Sequence, residues 1–195
     1  FALFKVFPYG GLQKDMLAIA SACLDRGHEV TVYCREWHGP VAISGLEVEI
    51  IPVRAYSNHR RDQAFAESLA TVLARENYAA VVGFNKMPGL DIYYAADTCY
   101  LAKVTEERSF LSRMTPRFRL YSAYEAAVFT GATQILMISG REIGVFRHYY
   151  QTPANRFHLL PPGIRRDRVM PPDYLEQIRA VCDEHAWLMM LDEIQ

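Results

Sequence analysis

The sequence predicts an α/β fold, a doubly wound parallel sheet with helices on both faces. Three observations point there. Apolar runs of strand length alternate with segments of helical period along the chain. Residues 78–84 are almost continuously apolar, the pattern of a strand buried on both faces beneath helices. Gly10-Gly11 stands where the first strand hands over to the first helix.

The elements follow in order. Residues 1–6 read as the first strand and Pro8-Tyr9-Gly10-Gly11 as the turn after it. Leu12, Met16, Leu17, Ile19, Ala20, Cys23 and Leu24 fall at helical spacing, and Arg26-Gly27 closes that helix. Residues 29–34 and 46–51 are short β-rich runs, 61–75 a helix and 78–84 the buried strand. Thr115 and Pro116 then open a helix as N-cap and first helical residue, and Gly131 ends it. Residues 134–138 are the next strand. Ser139 with Glu142 reads as a capping box for a helix running through Tyr150. Another strand, 156–160, leads into Pro161-Pro162-Gly163. After Pro171-Pro172 come a helix over 173–180 and an apolar strand over 186–190. A lone strand cannot bury itself, so a further domain, largely absent from this chain, is expected to hold it.

Composition narrows the class. With 195 residues, 51% of them hydrophobic, the chain can bury about 70% of its unfolded surface and needs no staples. Its 21 basic and 22 acidic residues leave a net charge of −1, which excludes a general nucleic-acid binder. Cysteines at 23, 34, 99 and 182 form no C-x-x-C pair and no zinc spacing, so a reducing, cytoplasmic compartment is expected. The longest uncharged run, residues 126–140, is 15 residues long, short of the ~20 a membrane span needs. No signal peptide is visible. The first residue is Phe and the opening already reads as a strand in progress, so a few residues are expected to precede it.

Several residues have the chemistry for a site. Gly10 and Gly11 let the backbone approach a ligand closely, and the helix N-terminus offers free N–H groups to an anion; the alternative is a plain tight turn. Asp97 follows an aromatic run, near a strand end where open α/β sheets bind ligands; otherwise it caps a turn. Asp15, on the first helical turn, is also placed favourably for the helix dipole. Lys86, just past a strand, is either a site residue or a solvated loop lysine. Between 103 and 121, five basic residues (Lys103, Arg108, Arg113, Arg117 and Arg119) stand against Glu106 and Glu107. Phe110, Leu111, Met114, Phe118, Leu120 and Tyr121 are interleaved with them. That stretch reads as an ordinary amphipathic helix or as a surface for anionic lipid or a phosphorylated sugar. No Asp-x-Asp occurs, which excludes a divalent cation bridging a nucleotide diphosphate through that motif, and the lack of a Gly-x-Ser-x-Gly, Walker loop or His-Glu-x-x-His disfavours hydrolase and zinc chemistries.

Three segments together resemble one family: Phe7-Pro8-Tyr9-Gly10-Gly11-Leu12-Gln13-Lys14-Asp15, Val82-Gly83-Phe84-Asn85-Lys86-Met87-Pro88-Gly89-Leu90-Asp91 and Leu160-Pro161-Pro162-Gly163-Ile164. This is the lipopolysaccharide core glucosyltransferase I family, retaining glycosyltransferases of the two-Rossmann-domain (GT-B) type. The likeness runs from residue 1 to about 164, with Asn-Lys-Met-Pro-Gly its most specific part. The resemblance implies retaining transfer of a glucose-like hexose from a UDP-sugar to an inner-core heptose of lipopolysaccharide. Residues 1–170 would be the N-terminal Rossmann-like, acceptor-binding domain. Residues 171–195 would be a linker and the start of, or a return segment from, the donor-binding domain. In the family that second domain binds UDP through an Arg-Lys pair and two glutamates eight residues apart, so the present segment alone is expected to be inactive. The resemblance places Gly10, Gly11 and Asp15 at the donor, Asp97 at the transferred sugar, and Asn85 and Lys86 at the acceptor. It implies no cofactor and no metal, the leaving diphosphate being met by basic residues and helix dipoles. The expected partners are the UDP-hexose, the lipid A–inner core acceptor and an anionic membrane surface, at the cytoplasmic face of the inner membrane. Two alternatives stand beside it: a membrane-surface module without catalysis, and a nucleotide-sugar epimerase of the same fold.

Overall fold

The computed structural model describes residues 1–41, 43–107, 110–160 and 174–184. It divides into two compact units, Phe1–Pro162 and Gly163–Gln195.

In the first unit, Ala2 sits between two parallel neighbours. Its N–H donates to the Val82 carbonyl at 2.8 Å and its carbonyl accepts from Phe84 at 2.9 Å, while Leu3 N–H donates to Tyr33 O at 3.1 Å on the other side. The first strand continues as β1 (Lys5–Val6), and helix α1 (Gly11–Leu24) follows. Next come β2 (Val30–Cys34), β3 (Glu36–Trp37) beside β1, β4 (Leu46–Ile50) beside β2, and helix α2 (Asn58–Leu73). Then β5 (Val82–Gly83), β6 (Ile92–Ala95), α3 (Tyr100–Glu107), α4 (Pro116–Thr130), β7 (Gln134–Met137), α5 (Ile143–Tyr150) and β8 (Phe157–Leu159) complete the unit. Every named strand pair is parallel. Through the bridges at Ala2, the order reads β4, β2, the N-terminal strand, β5, β6, β7, β8. Successive connections wind outward from the first strand in both directions, which is the doubly wound plan.

The pleat sends alternate side chains into two separate cores. Val30, Val32, Cys34, Leu3 and Tyr94 meet Met16 and Ala20 of α1 on one face. Tyr33, Tyr93, Ile135 and Met137 meet Phe65 and Leu69 of α2, Val128 and Phe129 of α4 and Phe146 of α5 on the other. Phe129 and Phe146 stack with centroids 3.9 Å apart. Buried Arg156 donates to the carbonyls of Val128 and Phe129, at the end of α4, and to that of Thr133 just beyond it.

The structure corrects the sequence reading in four places. The buried strand expected over 78–84 is only Val82–Gly83 in length, with Ala79 and Ala80 exposed. The stretch 103–121 is not one helix: α3 ends at Glu107, a 3-10 turn spans Phe110–Met114, and α4 starts afresh at Pro116. The cause was visible locally, because Thr115 caps α4 by accepting from Phe118 N–H at 3.2 Å and Pro116 cannot continue a preceding helix. Ser139 makes only half of the expected capping box, accepting from Arg141 N–H at 3.3 Å; Glu142 instead accepts from Cys99 N–H at 3.3 Å. Finally, α2 starts at Asn58 rather than residue 61.

In the second unit the described part is α6 (Tyr174–Glu184), with Arg179 and Asp183 paired one turn apart. The expected strand over 186–190 lies outside the described residues.

Candidate active site

Strand order reverses about the N-terminal strand, whose neighbours β2 and β5 come from connections of opposite direction. At such a switch point two connecting loops part at the carboxyl ends of the strands and leave a crevice. Here that crevice is a cavity of about 310 Å³ lined by Phe4, Asp62, Asn85, Lys86, Asp97, Thr98, Tyr100, Lys103 and Tyr121. Four residues singled out from the sequence, Asn85, Lys86, Asp97 and Lys103, therefore come together on it.

Their roles differ. Asn85 stitches the crevice at its root, its Oδ1 accepting from Phe4 N–H at 2.8 Å. Lys86 is no solvated loop lysine. Its side chain is 11% exposed, its Nζ lies 2.5 Å from Glu125 Oε1 and donates to the Thr98 carbonyl at 2.8 Å, and it sits 5.3 Å from the Phe146 ring centroid. Asp97 is exposed at the cavity wall, and its carboxylate has no hydrogen bond or ion pair among the described residues. Lys103 lines the same wall and is also exposed.

The floor under these groups was missed by the sequence reading. Glu125, on α4, is fully buried. It accepts from Tyr100 N–H at 2.8 Å, Leu101 N–H at 2.9 Å and Tyr150 Oη at 2.6 Å, besides its pairing with Lys86. Two of those donors are the first N–H groups of α3, where a carboxylate is favoured by both hydrogen bonding and the dipole. Burial alone pushes the Glu125 carboxyl up, but the Lys86 ammonium and these donors outweigh it and hold it below the usual carboxylate range. With its acceptor capacity committed and no solvent access, Glu125 positions the loop and takes no proton from substrate. Burial likewise pushes the neighbouring Cys99 thiol up to about 11, so it stays protonated and is no nucleophile. The available signal was one carboxylate inside an otherwise apolar stretch of α4.

A second buried pair closes the other wall. Arg35 bonds Asp62 Oδ1, and Tyr121 Oη donates to Asp62 Oδ2 at 2.7 Å. The Arg35 guanidinium lies 5.6 Å from the Phe4 ring centroid. Neither Arg35 nor Asp62 was marked by any sequence motif.

The remaining candidates lie elsewhere. Gly10 is the N-cap of α1, with φ −76° and no side chain capping the helix. A Cβ on Gly10 would stand 1.7 Å from Gln13 Oε1, whereas one on Gly11 would meet nothing within 4 Å. Open space faces Gly11, as a close-approaching ligand requires. Asp15 reaches the sheet, its Oδ2 accepting from Tyr94 Oη at 2.9 Å. Of the basic stretch, Arg108 lies outside the described residues. Arg113 is half-buried and donates to Thr105 O at 3.0 Å, Arg117 lies 5.7 Å from the Tyr121 ring centroid, and Arg117 and Arg119 are exposed. Phe118 and Tyr121 pack on Tyr100 and so turn inward; among the described side chains of the stretch, Leu111 at 71% and Met114 at 60% are exposed apolar groups. No helix among the described residues is long and apolar enough to cross a membrane.

Residues 9–168 match the family described as Glycosyltransferase Family 4. The chain is 44% identical over 180 residues to the lipopolysaccharide glucosyltransferase WaaG of Escherichia coli (strain K12), covering 91% of this chain and 47% of that protein. The fold superposes with TM-score 0.85 and 41% identity on the crystal structure of WaaG, a glycosyltransferase involved in lipopolysaccharide biosynthesis, covering 94% of this chain and 50% of that one. The chain thus spans about half the length of the relatives it matches.

Proposed function

The chain belongs to glycosyltransferase family 4, and from that premise we propose that it is the acceptor-side half of a lipopolysaccharide glycosyltransferase. In this reading the whole protein moves a hexose from a UDP-sugar to an inner-core heptose with retained anomeric configuration. The observation that carries it is the switch-point cavity, where the Asp97 carboxylate, without a hydrogen bond or ion pair among the described residues, stands beside the buried Lys86–Glu125 pair. Family membership favours a transferase over an epimerase.

The reaction forms a glycosidic bond to an acceptor hydroxyl and breaks the bond from the anomeric carbon to the diphosphate, whose departing oxygen takes up the hydroxyl proton. Asp97 accepts a hydrogen bond from a hydroxyl of the reacting sugar, its carboxylate being free to do so. The uncapped N-terminus of α1 at Gly10-Gly11 orients the leaving diphosphate through its free N–H groups. That contribution is about 0.3–1 kcal/mol, so it steers the anion while basic side chains of the donor half supply most of the charge. The proposed mechanism requires no metal. Incubating the full-length protein with UDP-glucose and a core lipopolysaccharide ending at the inner heptoses tests the proposal. Mass spectrometry should show one added hexose, and an unchanged acceptor mass rejects it.

The Gly-Gly turn supplies a sharper expectation. Gly11→Ala should fold normally and raise donor KM only slightly, because its Cβ meets no protein atom within 4 Å but takes up part of the space the diphosphate approaches. Gly11→Val should raise donor KM severalfold, because its branches stand where the diphosphate approaches. Steady-state kinetics of both variants decide this, and equal tolerance rejects the phosphate role.

Peripheral membrane contact belongs to the same proposal, since a glycolipid acceptor must be met at a surface. The 3-10 turn presents Leu111 and Met114 outward, followed by exposed Arg117 and Arg119. Each basic residue near an anionic surface contributes ~1 kcal/mol, so Arg117→Glu/Arg119→Glu should weaken binding about thirtyfold or more. Co-sedimentation with anionic and neutral vesicles at low salt and ~0.5 M salt checks it. Equal binding by both proteins removes this surface from the account.

A further inference from the structure

After β4 leaves the sheet, the chain crosses the carboxyl edge before entering α2. This crossing forms one wall of an open groove of about 460 Å³ lined by Glu36, Val53, Arg54, Ala55, Tyr56 and Arg61. We infer that this groove is a subsite for an oxyanion, a phosphate or carboxylate group carried by the acceptor glycan. The inference rests on the acceptor-side reading above and deepens it.

Three features point to such a ligand. Arg61 is braced: its Nε donates to the Ala55 carbonyl at 2.9 Å, which fixes the guanidinium plane and leaves its other N–H groups without a partner among the described residues. Arg54 is exposed and makes no hydrogen bond or ion pair among them. A planar donor fork held in place is the group best matched to the two oxygens of a carboxylate or phosphate. The one acid on the groove does not cancel this charge, because Glu36 Oε2 is 2.5 Å from Lys5 Nζ. Beside the arginines, the Tyr56 ring is fully exposed, offering a flat apolar face to a sugar ring.

The groove and the catalytic cavity share a wall. Arg61 lines the groove while its neighbour Asp62 lines the cavity; Glu36 lines the groove while its neighbour Arg35 pairs with Asp62. An acceptor with its reacting hydroxyl in the cavity thereby continues past the buried Arg35–Asp62 pair into the groove. There the anionic group sets which glycan enters and in which direction.

The test uses full-length protein, with UDP-glucose as donor and four inner-core acceptors: intact, phosphatase-treated, carboxyl-reduced, and treated in both ways. Arg54→Glu and Arg54→Ala/Arg61→Ala should raise KM for the intact acceptor about tenfold or more, with kcat and donor KM unchanged. Arg54→Glu is safe for folding because the native side chain bonds to nothing in the described structure. The penalty should vanish on whichever treated acceptor lacks the recognised group, which identifies phosphate or carboxylate as the source. Unchanged acceptor KM in both variants overturns the inference, as does a penalty undiminished on an acceptor stripped of both groups. Calorimetric titration with a hexose phosphate and with glucuronate separates this inference from the transferase reading. Binding to wild type that is lost in the double variant upholds the groove even if no hexose is transferred. Equal binding by the two proteins, or none by either, overturns it.

Discussion

Replacing Asp97 by alanine in the full-length protein is expected to lower kcat/KM by about 30- to 1000-fold while leaving the melting temperature unchanged. A carboxylate hydrogen-bonded to a sugar hydroxyl or to developing positive charge contributes ~2–4 kcal/mol once bound substrate has displaced water from it. Stability should not move, because the Asp97 side chain is exposed and makes no hydrogen bond or ion pair among the described residues. Asp97→Asn separates hydrogen bonding from charge, since it keeps the shape and one acceptor oxygen. Wild-type turnover by the alanine variant ends the assignment, and a fall in melting temperature would reassign Asp97 to the fold.

Glu125→Ala should have the opposite signature. Removing one member of a buried ion pair leaves the Lys86 ammonium uncompensated and strips the acceptor from Tyr100 N–H, Leu101 N–H and Tyr150 Oη. Such losses cost ~3–5 kcal/mol. In a domain of this size that is a fall of about 6–20 °C in melting temperature. Lys86→Met/Glu125→Gln should recover part of it, because no charge is then left unpaired and one acceptor oxygen remains. The pH dependence has a definite direction. The carboxyl is held below its ordinary value in the folded state, so its contribution is present above the unfolded pKa of about 4.3 and is lost as pH falls through the folded value. Chemical denaturation below about pH 4.3 should therefore show a flatter stability profile for Glu125→Gln than for wild type. A Glu125→Ala variant as stable as wild type, or parallel pH profiles, would contradict the buried pair as the floor of the site.

Both outcomes turn on residues of unequal visibility. Asp97 could be marked from sequence because an aromatic run before it implied a strand, and strand ends are where such sheets bind. The place of Lys86 after a strand is visible in the sequence, but its burial is not. A lysine in a Gly- and Pro-rich loop looks solvated until α4 brings a carboxylate from 39 positions away. Arg35 and Asp62 left no signal, since their pairing spans 27 positions and neither lies in a recognisable motif. The basic stretch over 103–121 illustrates the converse. Its charges were legible, yet the Thr115-Pro116 break divides it, sending Phe118 and Tyr121 inward against Tyr100.

What the sequence determined by itself was the alternation of strands and helices, the two-faced burial of the sheet, and the turn at Gly10-Gly11. These depend on side-chain periodicity and backbone allowance, which act within a few residues. Which strand sits between β2 and β5, and hence where the crevice opens, depends on pairing between segments far apart in the chain. The tertiary structure alone decides that Lys86 is paired rather than solvated, and that the Arg54–Arg61 groove adjoins the cavity across Arg35 and Asp62. The physical reason is that pairing of strands and of buried charges is settled by desolvation and packing between distant segments, and no local pattern records that balance.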